Sequence, residues 1–242
     1  MKVGIIMSDE QCHLPPLALL RLQGWLPPAF PTGSYSYSHG LEWGVEADHV
    51  QDRKSLVEWL EADLSYGSGR NEAIFFSEAW RCARDDDRAK LCEIVELAAA
   101  FRGSSEFAFE SSQQGAACLS TLRRVWPDRL LDWLSEILSE RDIQPTFSVI
   151  LGIRSARQGI PVSLALPAFL QSYIANLVTA GVRLIPLGQT EGQTALLELE
   201  EPVLAASAQA KRGTIADLGS AAFIVDLASM AHETQYTRLF RS

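Results

Sequence analysis

The sequence predicts an all-α fold, one helical bundle of about ten helices joined by short connections. Three observations predict it. No run alternates apolar and polar residues for long, and no Asn-Gly or Asp-Gly pair marks a hairpin. Apolar residues recur at helical spacing in one segment after another. The breaks between those segments carry the residues that start and stop helices: aspartate, serine, threonine, proline and glycine.

Taken in order, Asp52 is placed to cap a helix through SLVEWLEADL, and Asn71 to Ala83 continues with Ile74, Phe75 and Ala79 to one side. Arg84 to Asp87 is a charged turn whose aspartates can cap Lys90 to Phe101. Gly103 ends that helix, and Ser104 or Ser105 caps the next. Pro127 fits the first turn of DRLLDWLSEILSE, Pro145 opens TFSVILGIRSARQ, and Gly159 closes it. Ile160 to Val182 carries no charge, long enough to span a bilayer. Ser163, Pro167, Gln171, Asn176 and Thr179 interrupt it, and Arg157 and Arg183 flank it on both sides. It reads as a buried central helix, with Pro167 at the start of its main run. Thr214 to Asp217 resembles a capping box opening a helix to about Met230.

No linker, repeat or composition break divides the chain. Residues 14–231 read as one all-α domain, and 1–13 as a poorly ordered extension. Residues 232–242, HETQYTRLFRS, form a polar, basic tail with aromatic and Leu-Phe anchors. It either docks on a partner or folds back on its own core.

Composition excludes some functions. Hydrophobic residues make up 47% and charged residues 21%, enough apolar material for a core. The net charge of -9 disfavours nucleic acid and anionic membrane surfaces as partners. Cys12, Cys82, Cys92 and Cys118 form no Cys-x-x-Cys pair, so they read as reduced packing residues of a cytoplasmic protein. The glycine-bearing segments Gly67–Arg70 and Pro186–Gln193 read as loops without a phosphate-binding signature.

The richest stretch is Phe30 to Glu46, FPTGSYSYSHGLEWGVE. A helix starting near Ser34 would line Tyr35, His39, Glu42 and Glu46 along one face. Tyr37, Ser38, Leu41, Gly44 and Val45 would line the other. Three readings stay open on the residues alone. His39 and Glu42 could form an acid–base pair of a small all-α enzyme. They could supply two ligands, at most, of a metal site. Or Tyr35 and His39 are half-buried structural residues.

The segment FPTGSYSYSHGLEW resembles the N-terminal signature of the UreF family of urease accessory proteins. Arg183 to Gln193, RLIPLGQTEGQ, and the ending HETQYTRLFRS resemble blocks of the same family in the same order. Ser104-Ser-Glu106 with Gln113-Gln114-Gly115 is a smaller match. The blocks span the chain from about residue 20 onward. Thr146 to Gly152 and Ala231 depart from the family pattern. The resemblance implies an all-α homodimer with no catalysis and no cofactor of its own. It implies partnership with UreD (also called UreH) and the GTPase UreG, in an assembly that inserts nickel into apo-urease and is driven by GTP hydrolysis. On that footing Tyr35, Tyr37, His39 and Glu42 belong to a partner-facing and packing helix. Gln189 and Gln193 are candidate UreG contacts. Tyr236, Leu239 and Phe240 would anchor the tail on UreD, with Arg238 and Arg241 as polar clamps.

Overall fold

A computed structural model describes residues 16–242. The extension expected at 1–13 lies outside the described residues. Twelve α-helices and no strand occur among the described residues. The helices are α1 (Pro16–Trp25), α2 (Leu41–Glu46), α3 (Arg53–Tyr66), α4 (Ser68–Asp85), α5 (Arg88–Ala100) and α6 (Ser105–Val125). They continue with α7 (Arg129–Glu140), α8 (Phe147–Arg157), α9 (Val162–Leu184), α10 (Gln189–Glu198), α11 (Glu200–Arg212) and α12 (Phe223–His232). Short 3-10 turns sit at Ser34–Ser36 and Ile215–Asp217.

The predicted caps start several of these helices. Asp52 accepts from the Ser55 N–H and Ser55 answers to the Asp52 N–H, a reciprocal capping box on α3. Asp87 accepts from Lys90 N–H at α5, and Ser104 from Phe107 N–H at α6. Thr214 and Asp217 also form their capping box, but it opens only a 3-10 turn. The α-helix begins at Phe223, so the single helix expected over 214–230 is two elements. Leu218 leaves the turn in an extended conformation, and Ala221 N–H is spent on Tyr66 O instead of a helical carbonyl.

The central helix is α4, not the uncharged segment. Residues Ala73 to Ala79 of α4 are buried in an unbroken run, because α3, α5, α8, α9 and α11 all pack against it. Its closest neighbour is α8. A Cβ on Gly152 of α8 would collide with Phe76 O, so the two backbones touch where glycine leaves room. Glu78, buried on α4, is neutralised by Arg81 and by Lys90 Nζ at 3.1 Å. By length and composition α9 is the one helix among the described residues apolar enough to cross a membrane. In this fold it packs on α3, α4, α8, α10 and α11. It starts at Val162, ahead of Pro167, and runs through that proline. Only the bond to Ser163 O is lost there.

The stretch 30–46 is not one helix. Gly33 is left-handed (φ 73), Ser34–Ser36 make one 3-10 turn, and Tyr37 is extended. His39 (φ 58) and Gly40 (φ 76) are both left-handed before α2 begins at Leu41. Gly40 is held against α12, where a Cβ would meet Ser229 N at 2.9 Å. Two successive positive-φ residues end any helical register, so the faces expected from 100° spacing do not form.

Candidate partner surface and the carboxylate base beneath it

That break decides where the side chains go. His39 turns inward and stacks on Phe107 at 3.9 Å between ring centroids. Its Nδ1 lies 3.1 Å from Glu110 Oε2 and its Nε2 lies 2.5 Å from Ser68 Oγ. Ser68 donates to Asp63, which also accepts from Tyr173 O–H at 2.8 Å. Burial works against a charge on His39, but Glu110 together with Asp63 and Glu72 outweighs it, and the imidazole is raised above its ordinary value. Burial likewise pushes the Tyr173 phenol up.

Glu42 points elsewhere. Its Oε2 lies 3.0 Å from His232 Nε2 of α12, and its two oxygens accept from Leu239 N–H at 2.6 Å and Phe240 N–H at 3.0 Å. His232 Nδ1 lies 2.7 Å from Glu106 Oε2 of α6. The acid–base pair of His39 with Glu42 is therefore absent: each residue is bound to a different partner on α6 or α12. Among the described residues no group of three or more His, Cys, Asp or Glu is set to hold a metal ion.

The tail folds back over this base as a strap. Arg241 N–H donates to Ser36 O, and Ser38 N–H donates to Ser242 O at 2.7 Å. Ser242 Oγ donates to Glu110 Oε2 at 2.9 Å. Arg238 reaches Glu106 Oε1 at 3.0 Å and caps the carbonyls of Gln235 and Glu233. Phe240 is only 4% exposed, and the Arg183 guanidinium lies over its ring at 4.4 Å. Burial raises the Tyr37 phenol, and a hydrogen bond from Arg241 draws it back.

The expected contact residues thus separate into two sets. Tyr37, His39, Glu42 and Phe240 are buried, so their part in any partner surface is to hold it from beneath. Tyr35, Tyr236 and Leu239 point outward, with Tyr236 fully exposed. On α12, Phe223, Leu227 and Met230 are also exposed and share one helix face. Gln189 and Gln193 are also exposed, but they lie on α10 rather than in a loop. Gly188 precedes that helix, and Gly192 sits inside it, close against Val182 of α9.

Sequence reasoning missed the role of three residues. Glu106, Glu110 and Gln114 follow one another at every fourth position of α6, and all three are buried. An acidic stripe on one helix face, in a chain with only four histidines, was the available signal. His232 looked isolated because its partners are 126 and 190 residues away.

The chain is similar in sequence to known proteins along most of its length. The family model of UreF matches residues 50–200. The urease accessory protein UreF of Rhodopseudomonas palustris strain BisB5 is 44% identical over 225 residues, 93% of this chain and 91% of that protein. UreF of Bradyrhizobium diazoefficiens is 44% identical over 93% of this chain and 92% of its own length. UreF of Bradyrhizobium sp. strain BTAi1 is 45% identical over 236 residues, covering 98% of this chain and 97% of that protein. These matches cover nearly the whole chain and not only the short motifs, so the chain belongs to the UreF family of urease accessory proteins.

Proposed function

We propose that this chain is a non-catalytic scaffold of urease maturation. It joins UreD/UreH, recruits the GTPase UreG and governs when UreG hydrolyses GTP, so that nickel enters apo-urease. It acts in the cytoplasm as a homodimer. The observation that carries the reading is the exposed apolar face of α12, Phe223, Leu227 and Met230 at positions i, i+4 and i+7, together with the exposed Tyr236 and Leu239 of the strap, which the Glu42 carboxylate holds by its backbone. Large exposed apolar side chains grouped together mark a protein contact rather than a reaction centre. The titratable groups of the base are all spent on one another, which suits support and not turnover.

In this reading Tyr236 and Leu239 meet UreD/UreH, while Phe240, Arg238 and Arg241 hold the strap that presents them. Gln189 and Gln193 of α10 meet UreG. Tyr236→Ala combined with Leu239→Ser is expected to abolish copurification with UreD/UreH while leaving the far-ultraviolet circular dichroism unchanged. Gln189→Ala combined with Gln193→Ala is expected to weaken UreG recruitment to the preformed complex, with stability altered by no more than about 0.5 kcal/mol. Undiminished pull-down by the first variant rejects the strap as the UreD/UreH surface. Undiminished UreG recruitment by the second rejects α10.

A further inference from the structure

His232 is the most enclosed titratable side chain of the base, with no exposure at all. It sits between carboxylates from two different helices, Glu42 of α2 and Glu106 of α6. Those same carboxylates grip the strap. Glu42 accepts the backbone N–H groups of Leu239 and Phe240, and Glu106 accepts from Arg238. His232 therefore joins the two grips on residues 238–240.

A neutral imidazole carries one N–H and can donate to one carboxylate only. Here both ring nitrogens lie within hydrogen-bond distance of carboxylate oxygens. Both contacts are bonds only if the trio holds one proton more. It then consists of an imidazolium between two carboxylates, or a neutral ring with one carboxylic acid. Without that proton, two carboxylates share a buried site with a neutral ring and one partly exposed cation, Arg238. The other charges nearby are acidic or already paired. On α2, Glu46 accepts from Gln235; beyond α12, Glu233 accepts from Ser105 N–H; on α6, Glu110 is held by His39 and Ser242.

We propose that this shared proton is the pin of the strap: residues 236–242 dock with uptake of one proton at Glu42, His232 and Glu106, and loosen as it leaves. The pin lies wholly within this fold and does not depend on which partner the strap meets. Burial raises the Glu106 carboxyl against the opposing pull of His232 and Arg238, so the closed state favours a bound proton at that end as well. The sign is fixed by linkage. The docked state binds more protons than the released one, so docking is full at low pH and is lost as pH rises through the docked value. Release would lift Phe240 out of the core and free Tyr236 and Leu239 from a set position.

The test uses the full chain and amide hydrogen exchange by NMR at Leu239 and Phe240. Rates are divided by the intrinsic exchange rate at each pH. Their protection is expected to fall about tenfold per pH unit across the window between the pH at which the released trio loses its proton and the higher pH at which the docked trio does. Glu106→Gln removes the need for the proton, because the introduced side-chain amide donates to Nδ1 while the neutral ring donates to Glu42. That variant is expected to keep Leu239 and Phe240 protected with a flat pH profile. A purely structural role for Glu106 predicts instead lost protection at every pH. Protection that stays constant in the unmodified chain between about pH 5 and 9 overturns the proposal. So does an unchanged slope in Glu106→Gln, or loss of protection at every pH in that variant. The unmodified chain decides alone if the variant does not fold.

Discussion

His39 holds a backbone conformation that non-glycine residues seldom adopt, at φ 58. What keeps it there is its ring: stacked on Phe107 and bonded at both nitrogens, to Glu110 and to Ser68. Because Glu110, with Asp63 and Glu72, raises the imidazole above its ordinary value against the cost of burial, these contacts stabilise the fold chiefly when His39 is charged. That contribution is complete below the unfolded value of about 6.5 and declines as pH rises through the higher folded value. His39→Gln is expected to cost roughly 1–3 kcal/mol in urea unfolding near pH 6, and less near pH 9. An equal loss at both pH values contradicts a charged His39. His39 and His232 are thus alike in chemistry but separable by experiment, since one is read by global unfolding and the other by local opening of the strap.

At the scale of elements, two contacts organise the molecule. The first is the crossing of α4 and α8, where Gly152 lets the backbones meet. Gly152→Ala places a methyl group where Phe76 O already stands, and is expected to destabilise the fold by roughly 1–3 kcal/mol through overpacking. A thermal melt unchanged from that of the unmodified chain contradicts so close a contact. The second is the strap on α2, α6 and α9, fastened by Phe240 beneath Arg183. Phe240→Ala is expected to free the strap without unfolding the bundle. Trypsin should then cut after Arg238 at least about tenfold faster, with helical content unchanged. Equal cleavage rates would mean that the backbone bonds to Glu42 and Ser36 suffice without the ring.

For the whole molecule, an acidic helical body exposes apolar side chains on α12 and the strap and glutamines on α10. The scaffold reading predicts a complex that copurifies with UreD/UreH and UreG and whose mass fits integral copies of each. It also predicts that the isolated chain holds little nickel. In equilibrium dialysis, binding well below one nickel per chain is expected at micromolar metal, since both buried histidines have their ring nitrogens engaged. Tight stoichiometric binding would favour a metallochaperone instead.

Helices and most of their caps could be read from the chain itself, because an N-cap bond or an amphipathic face spans three or four neighbours. Residue type foretold the bond made by Asp52, and narrowed the caps of α5 and α6 to the aspartates before Arg88 and to Ser104 or Ser105, of which the fold uses Asp87 and Ser104. Family membership was legible for a similar reason: the motifs are contiguous. The paths of Phe30 to Glu46 and of the tail were not. Helical spacing put His39 beside Glu42, whereas tertiary packing turned the backbone left-handed at His39 and Gly40 and sent the two side chains to Glu110 and His232. Composition left the tail's destination open between a partner and its own core. The carboxylate of Glu42 settled it within this chain, by accepting two backbone N–H groups from residues almost two hundred positions away. Local order depends on bonds between near neighbours and is written in the sequence. Which buried acid meets which buried base depends on closing long loops around a common core, and only the folded molecule brings those groups within bonding distance.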